Sequence, residues 1–516
     1  YYKLGSNYAC GREIKYPVNA KISLSSLVNG YENGFISGLL HGDEVNFLNI
    51  VATDCSGIIT SKLFFENLKV EKVQYDMLVN ESMNYSLEMS LQINDEEGFK
   101  SYVTEEDWKA TRVYDSSGVI SDFKFGNIPS GWKNNQDDIY KLRFADFGSY
   151  EVGNSAFFDC NNISGKLFVP RNVNYIGESS FQQCSSISEL FFDTDHSIQQ
   201  IGSSGFKGCS GINIDNLLLP TSLETLGQSS FEGCSSIKGL NLNKVSTVGD
   251  RSFFGCLGLK GPLVMKDGLT YLGDSSFESC LGLDGSIEFP DSLGYINQKA
   301  FKNCGSLEYD LEINDSISGI GPQAFYGCSG LNGSLVLSEN LTYIESGTFY
   351  NCFSVTGDLV LPDGVSGVGE YAFYNLGVDS LYLPESLLYI SEGAFQRLND
   401  IKTDLELPKN LLEIGDEAFA DCDSFEEKLV IPSGIQSIGE NAFSGCIGIN
   451  DVYINSPASI FQGNSAFYGV GGCLYVTPIY YQQYLDLVVD GRFQGMPVCY
   501  GSEETIVFDV NSFNIL

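Results

Sequence analysis

Histidine is the scarcest reactive residue in this chain: His41 and His196 are the only two among 516 residues. Neither stands at a metal-ligand spacing from the other or from a C-x-x-C pair, and no Ser/His/Asp constellation is legible. His41 precedes Gly42 and Asp43 in an expected turn, and His196 sits in a loop before Ile198. The glycines from Gly202 to Gly208 imitate a phosphate loop, but no Lys-Ser/Thr follows them. The inventory argues against catalysis and leaves an enzyme reading only for the N-terminal region.

Cysteine is the abundant reactive residue, and position divides the fifteen into two classes. Eleven lie three residues after a phenylalanine: Cys160, Cys184, Cys209, Cys234, Cys256, Cys280, Cys304, Cys328, Cys352, Cys422 and Cys446. At the same place after Phe373, Phe395 and Phe467 stand Leu376, Leu398 and Val470. A site that accepts leucine or valine for cysteine is a small-hydrophobe site, so these thiols are expected in the core. Cys10 and Cys55 precede that series, and Cys473 and Cys499 follow it. Each pair is a candidate terminal disulfide, which would place the protein in an oxidising compartment.

Carboxylates form a second series. Three residues before a phenylalanine stand Glu178, Asp250, Asp274, Glu370, Glu392, Asp416 and Glu440. Stacked at strand spacing, about 5 Å, some could share a divalent cation such as Ca2+. A solvated acidic face is the simpler expectation, and no metal or cofactor is assigned. The whole chain carries 66 acidic and 29 basic residues, a net charge of -37. That field repels phosphate backbones and anionic lipid, so nucleic acid is not an expected partner.

What aligns these series is a repeat. The phenylalanines are Phe157, Phe181, Phe206, Phe231, Phe253, Phe277, Phe301, Phe325, Phe349, Phe373, Phe395, Phe419, Phe443 and Phe467. Most are 24 residues apart and the rest 22 or 25, which is the signature of one supersecondary turn stacked on copies of itself. In one unit Ile287 and Phe289 alternate as a short strand, and Pro290 stops it. Pro170, Pro220, Pro362, Pro384, Pro408 and Pro432 are equivalent stops. Glycine lies four residues before the anchor in eleven units, Gly177, Gly321 and Gly439 among them, and is expected to supply unusual turn angles. A small residue precedes every anchor, from Ala156 to Ala466, as a position pressed against a neighbouring coil requires.

The recurring pattern L-x-L-P-x-x-L-x-x-I-G-x-x-A-F-x-x-C, written out at Leu405 to Cys422 and again at Leu429 to Cys446, resembles the BspA-type leucine-rich repeat. The resemblance spans about 140 to 500. It implies a curved, strand-lined solenoid on bacterial or protist cell surfaces that serves adhesion and protein binding without catalysis. The chain departs from the pattern in an extra glycine before many strands, as at Gly261, Gly285, Gly333 and Gly357, and in its long N-terminal region.

The expected fold is a leucine-rich-repeat solenoid, strand-dominated with little helix, preceded by a β-rich, sandwich-like N-terminal domain. Its expected parts are a β-rich domain over 1–115, a linker and degenerate N-cap over 116–140, about 14 repeats of about 24 residues over 141–472, and a C-terminal cap and tail strand over 473–516. Lys21 to Leu27, Asn46 to Ala52 and Tyr85 to Ile93 alternate as strands, and Thr104 to Trp108 opens a short helix. Leu142 and Phe144 belong to the strand of the first unit, with Phe123 and Phe125 as a degenerate strand before it. Gly126 to Asp138, rich in Asn, Gly and Pro, is linker-like. In the cap, Leu474 to Val476 is a last strand, followed by a helix from Thr477 and Pro478 that carries Tyr480, Tyr484 and Leu487 on one side.

Surface chemistry supplies the functional expectations. The position between the two core residues of each strand faces outward, and there stand Phe168, Phe191, Leu218, Val264, Val336, Val360, Tyr382 and Val430, with Asn241, Glu288, Glu312 and Glu406 in the other units. An apolar row of this kind marks a partner surface. N-x-S/T sequons at Asn80, Asn84, Asn162, Asn314, Asn332 and Asn340 are glycan candidates. Ile506, Phe508 and Val510 alternate in the tail like a half-buried strand, which would cover either its own cap or, as an assembly strand, the edge of a neighbouring molecule. The chain opens at Tyr1 without a methionine, as a processed product would, and shows neither a membrane span nor a signal segment. Together these residues predict an extracellular or cell-surface, non-enzymatic protein that binds proteins or glycans at a cell surface or matrix. The alternative is a structural subunit of an extracellular filament or surface polymer.

Overall fold

The computed structural model describes residues 110–501, apart from 118–119, 137, 146–147, 194–196 and 243, together with the backbone of five strands between residues 19 and 92. The chain divides into two compact units, Tyr1–Ala110 and Thr111–Leu516. In the first, Asn84–Gln92 is the middle strand of an antiparallel sheet with Asn19–Leu27 and Val70–Leu78. Val45–Thr53 and Ile59–Leu68 pair as a second antiparallel ladder. The three alternating segments read from sequence fall in these strands, except Ile93, which lies outside the described residues. The sandwich packing, the helix at Thr104 to Trp108, and residues Cys10, His41, Cys55 and Asn80 lie outside the described residues, as does His196.

The second unit is a solenoid in which each coil contributes to parallel ladders. The first ladder contains the expected strand, as in Leu263–Val264 paired with Ile287–Glu288 and Asp358–Val360 paired with Ser380–Tyr382. After each proline the chain turns, and the proline carbonyl accepts the amide three residues on, as from Leu293 to Pro290 (3.0 Å). A second strand then follows that the sequence pattern did not announce. It is the more continuous of the two: Tyr150–Val152, Val173–Ile176, Gln200–Ile201, Thr225–Leu226, Thr247–Val248 and Tyr271–Leu272 form one six-stranded parallel sheet.

The third side of each coil is the anchor turn, which joins its neighbour by backbone bonds such as Phe301 N–H to the Ala324 carbonyl (2.8 Å). The residues two before and two after the anchor take left-handed angles, for example Ser179 and Gln183 around Phe181 (φ 53° and 67°). Inside, all fourteen anchor rings stack into one column, with neighbouring centroids 5.2–5.6 Å apart and planes within 15° of parallel. Each anchor is fully buried. The column makes every coil the packing partner of the next, which is how a repeat too small to bury its own apolar face is stabilised.

The glycine four residues before the anchor has a different reason from the one expected. Gly273 carries no positive φ; a Cβ there would lie 2.5 Å from the Asp250 amide nitrogen of the preceding coil. Close approach of two backbones, not an unusual turn angle, requires the missing side chain.

Both ends of the array are closed. The linker-like stretch Gly126 to Asp138 contains a further coil: Gly131, Lys133 and Asn135 donate their amides to Asn154, Ala156 and Phe158, and Ile128 bridges to Val152. Lys133 stands in the anchor's backbone place, while Trp132 supplies a ring against Phe157 (5.8 Å, edge on). Phe123 and Phe125 do lie in a strand, Ile120–Phe125, but both rings are exposed. That strand and Lys141–Arg143 flank Ala110–Tyr114 in a small three-stranded sheet, in which Lys141–Arg143 runs antiparallel to Ala110–Tyr114. At the far end Leu474–Val476 pairs with Asp451–Ile454 and Val498–Tyr500. The helix Pro478–Leu485 buries Tyr484, whose hydroxyl donates to the Ser456 carbonyl (3.0 Å). Leu487 falls beyond the helix and is exposed, contrary to the one-sided cap face expected of it.

Candidate functional site

The eleven repeat cysteines are all free and buried. Each donates its thiol to a carbonyl of the preceding coil, as Cys304 does to Phe277 (3.1 Å) and Cys328 to Phe301 (3.2 Å). Cysteine therefore adds something that a small hydrophobe would not: a donor for the carbonyl of the anchor stacked before it. Burial pushes the thiols of Cys209, Cys256, Cys304 and Cys352 up to about 12. Thiols of that kind are poor nucleophiles and poor metal ligands at neutral pH. Cys473 and Cys499 are joined in a disulfide that ties the last two strands together.

Three members of the carboxylate series, Asp250, Glu392 and Asp416, take cross-coil hydrogen bonds. Asp250 accepts from the Asp274 amide (3.0 Å) and the Tyr271 hydroxyl (3.1 Å), Asp416 accepts from the Glu440 amide (2.7 Å), and Glu392 accepts from the Tyr371 hydroxyl. Among the described residues, no group of three or more His, Cys, Asp or Glu side chains is arranged to hold a metal ion. Glu232, on the anchor face, has its side chain largely enclosed. Burial alone would raise its pKa, but hydrogen bonds from Arg251, Ser229 and Lys207 prevail and hold it at about 2.

The outward row of the first ladder divides into clusters. Phe168, Phe191, Leu218, Val264, Val336, Val360 and Tyr382 are 37–60% exposed, and Val430 is half-buried. Phe168 sits directly beside Phe191, and Val360 beside Tyr382. Asn241, the exposed Glu288 and Glu312, and Glu406 interrupt the row, so it holds two apolar clusters, Phe168 with Phe191 and Leu218 and Val336 with Val360 and Tyr382, while Val264 and Val430 stand apart.

A second exposed row escaped the sequence reading. On the second ladder the outward position holds Tyr271, Tyr295, Tyr343 and Tyr389, all 41–46% exposed. Its signal was present in the repeat, six residues before the anchor, but the strand that displays it was not expected. On the anchor face Tyr326, Tyr350 and Tyr374 stack at 4.4 and 4.5 Å, with Lys302 over one end and Arg397 over the other.

The sequons differ in how their amides are used. The Asn314 amide nitrogen donates to the Phe289 carbonyl (2.8 Å) and that of Asn340 to the Asp315 carbonyl (2.6 Å). Asn332 is exposed and uses its oxygen, accepting from the Tyr309 amide (2.9 Å). Asn162 is half-buried, and Asn84 begins a strand of the first unit. The tail residues Ile506, Phe508 and Val510 lie outside the described residues.

The model for the BspA type leucine rich repeat region (6 copies) matches residues 150–284, 262–376 and 356–473. The chain belongs to the BspA-type leucine-rich-repeat family. Membership is consistent with a protein-binding or surface-scaffold role, and no enzymatic family is indicated. None of the curated proteins matches the sequence. Among solved structures, a leucine-rich cell surface protein from Faecalibacterium prausnitzii is 18% identical with a TM-score of 0.37, over 71% of this chain and 96% of that one. A leucine-rich repeat protein from Bacteroides ovatus is 19% identical with a TM-score of 0.39, over 75% and 94%. The pneumococcal vaccine antigen PcpA is 16% identical with a TM-score of 0.38, over 73% and 88%. These likenesses are too loose to carry a functional argument. Among the described residues, no helix of this BspA-type chain is long and apolar enough to cross a membrane.

Proposed function

We propose that this chain is an extracellular, non-enzymatic binding or scaffold protein that holds a protein partner at a cell surface or matrix against the outward row of its first ladder. The observation that carries the reading is the patch of Val336, Val360 and Tyr382, three exposed apolar side chains on consecutive coils. A solvated strand face gains nothing from such a run, whereas a partner that covers it gains burial of apolar area. The paired Phe168 and Phe191 with Leu218 offer a second contact along the same face. The buried, protonated thiols and the cross-coil use of the carboxylates support a scaffold rather than an active centre.

The test is the double variant Val360→Lys with Tyr382→Lys in the full chain, measured by biolayer interferometry against purified matrix and serum glycoproteins. Binding to at least one wild-type ligand should weaken by about tenfold or more while the melting temperature holds. Unaltered binding, or a large loss of stability showing the row to be interior, would defeat the reading.

A second reading, a subunit of a surface polymer, is favoured by the last strand. Among the described residues, Val498–Tyr500 has one neighbour in its sheet, and Tyr500, whose ring packs edge-on against Tyr481 (5.2 Å), is exposed. An edge of this kind accepts a strand from another molecule, and the alternating Ile506, Phe508 and Val510 are our candidate donor. Of the sequons we favour Asn332 as a glycan acceptor, because at Asn314 and Asn340 the nitrogen that would carry the sugar is committed to a cross-coil bond.

A further inference from the structure

We propose that Tyr295, Tyr343 and Tyr389 form a binding strip for a neutral, extended, β-1,4-linked glycan. The three occupy the same outward position of the second ladder in every second coil, and Gly319 and Gly367 hold that position in the coils between. The alternation of tyrosine and glycine has a geometric consequence. A Cβ at Gly319 would lie 2.4 Å from the Tyr295 ring, and one at Gly367 would lie 2.6 Å from the Tyr343 ring. Each of these two rings leans across the following coil, in the space a side chain would otherwise fill. The result is separated aromatic surfaces, unlike the closed stack of Tyr326, Tyr350 and Tyr374, whose rings leave no room for a guest.

The spacing selects the guest. Two coils at strand spacing separate successive tyrosines by about 10 Å, which matches the distance between sugars of like orientation in an extended two-fold β-1,4-linked chain. Pyranose rings present C–H faces that pack on aromatic rings, and their equatorial hydroxyls point to either side. The strip is bordered to receive them: Ser318, Thr342 and Ser366 lie immediately before the ladder strands, and Glu345, Glu370 and Glu392 lie just after them. Thr342 and Ser318 are exposed, as are Glu370 and Glu392. Hydroxyl groups of a neutral sugar can donate to these carboxylates, whereas sulfated or uronate chains would meet like charge. The strip shares no residue with the apolar row of the first ladder, so the two surfaces can fail independently.

The test is isothermal titration of the full chain with cellohexaose and chitohexaose, against maltohexaose as the α-linked control and an oligogalacturonate as the anionic one. At least one neutral β-1,4 oligomer should bind, and both controls should bind more weakly. Tyr343→Ala should weaken binding by roughly five- to tenfold, the loss expected for one aromatic contact. Tyr343→Phe should preserve it, and Gly367→Ala, which displaces the Tyr343 ring without removing it, should weaken it. Val360→Lys with Tyr382→Lys should leave it unchanged. Failure of both neutral oligomers to bind, equal or tighter binding of either control, or affinity unaffected by both Tyr343→Ala and Gly367→Ala would overturn the proposal. Because Tyr343→Phe and Gly367→Ala keep an aromatic ring, they decide the matter even if Tyr343→Ala does not fold.

Discussion

Raising the pH should destabilise the solenoid in proportion to the number of thiols it buries. Burial raises the pKa of Cys184, Cys209, Cys234, Cys256, Cys280, Cys304, Cys328, Cys352 and Cys422 above the ordinary 9.0. Above pH 9 the unfolded chain has released protons that the folded chain still holds, so stability falls as pH rises from 9 toward about 12, where Cys304 itself would ionise. For each thiol exposed in the transition, the loss is about 0.4 kcal/mol at pH 9 and about 0.8 kcal/mol at pH 9.5. Lysine and tyrosine also titrate in this range, and a comparison chain removes them. It carries Cys280→Val, Cys304→Val, Cys328→Val and Cys352→Val, in positions equivalent to Leu376, Leu398 and Val470. Urea unfolding of both chains at pH 7.5 and 9.5 should show a fall smaller by about 3 kcal/mol in the variant. In the folded wild-type chain at pH 8, a thiol reagent should leave the eleven repeat cysteines unlabelled, and denaturation should release all of them. Equal alkaline losses in the two chains, or rapid labelling of the folded protein, would refute the account of the cysteine column.

Other outcomes follow from single contacts. Phe301→Ala removes a ring stacked on Phe277 (5.6 Å) and Phe325 (5.4 Å) and should cost about 3–5 kcal/mol in urea unfolding. Cys304→Ala, which loses one weak hydrogen bond and little volume, should cost about 1 kcal/mol. Gly273→Ala forces a Cβ against the Asp250 amide and should lower the melting temperature more than Gly294→Ala, where the nearest atom would be 4.0 Å away. Glu232 contributes stability above its ordinary 4.5 that is lost as pH falls toward about 2, so Glu232→Gln should flatten the acid limb of a stability profile measured between those limits. Deleting 504–516 should abolish any higher-order assembly seen by light scattering while leaving a folded solenoid; an unchanged oligomeric state would exclude the tail as the joining strand.

The sequence by itself determined the period, the identity of the core columns and the place of one strand. These were legible because an equivalent position in every coil meets the same neighbours, so its chemistry must recur: phenylalanine at the anchor, a small residue before it, cysteine or a small hydrophobe after it. The same logic exposed the apolar row at Val336, Val360 and Tyr382. What the column of residue types does not contain is the contact between columns, and there the tertiary structure decided. Cysteine is set apart from leucine by a carbonyl that arrives from the previous coil, and Gly273 is fixed by a backbone pressed against it rather than by its own φ. Asp250 looks like one rung of an acidic face until its partner amide, 24 residues away, is seen to bond it. The coil at Gly126 to Asp138 was hidden because Lys133 keeps only the backbone role of an anchor and Trp132 the ring, so the periodic signal vanished while the hydrogen bonds persisted. The second ladder was hidden because its strands are mostly two residues long, too short for an alternation to show, and they exist only because each is held by the coil beside it.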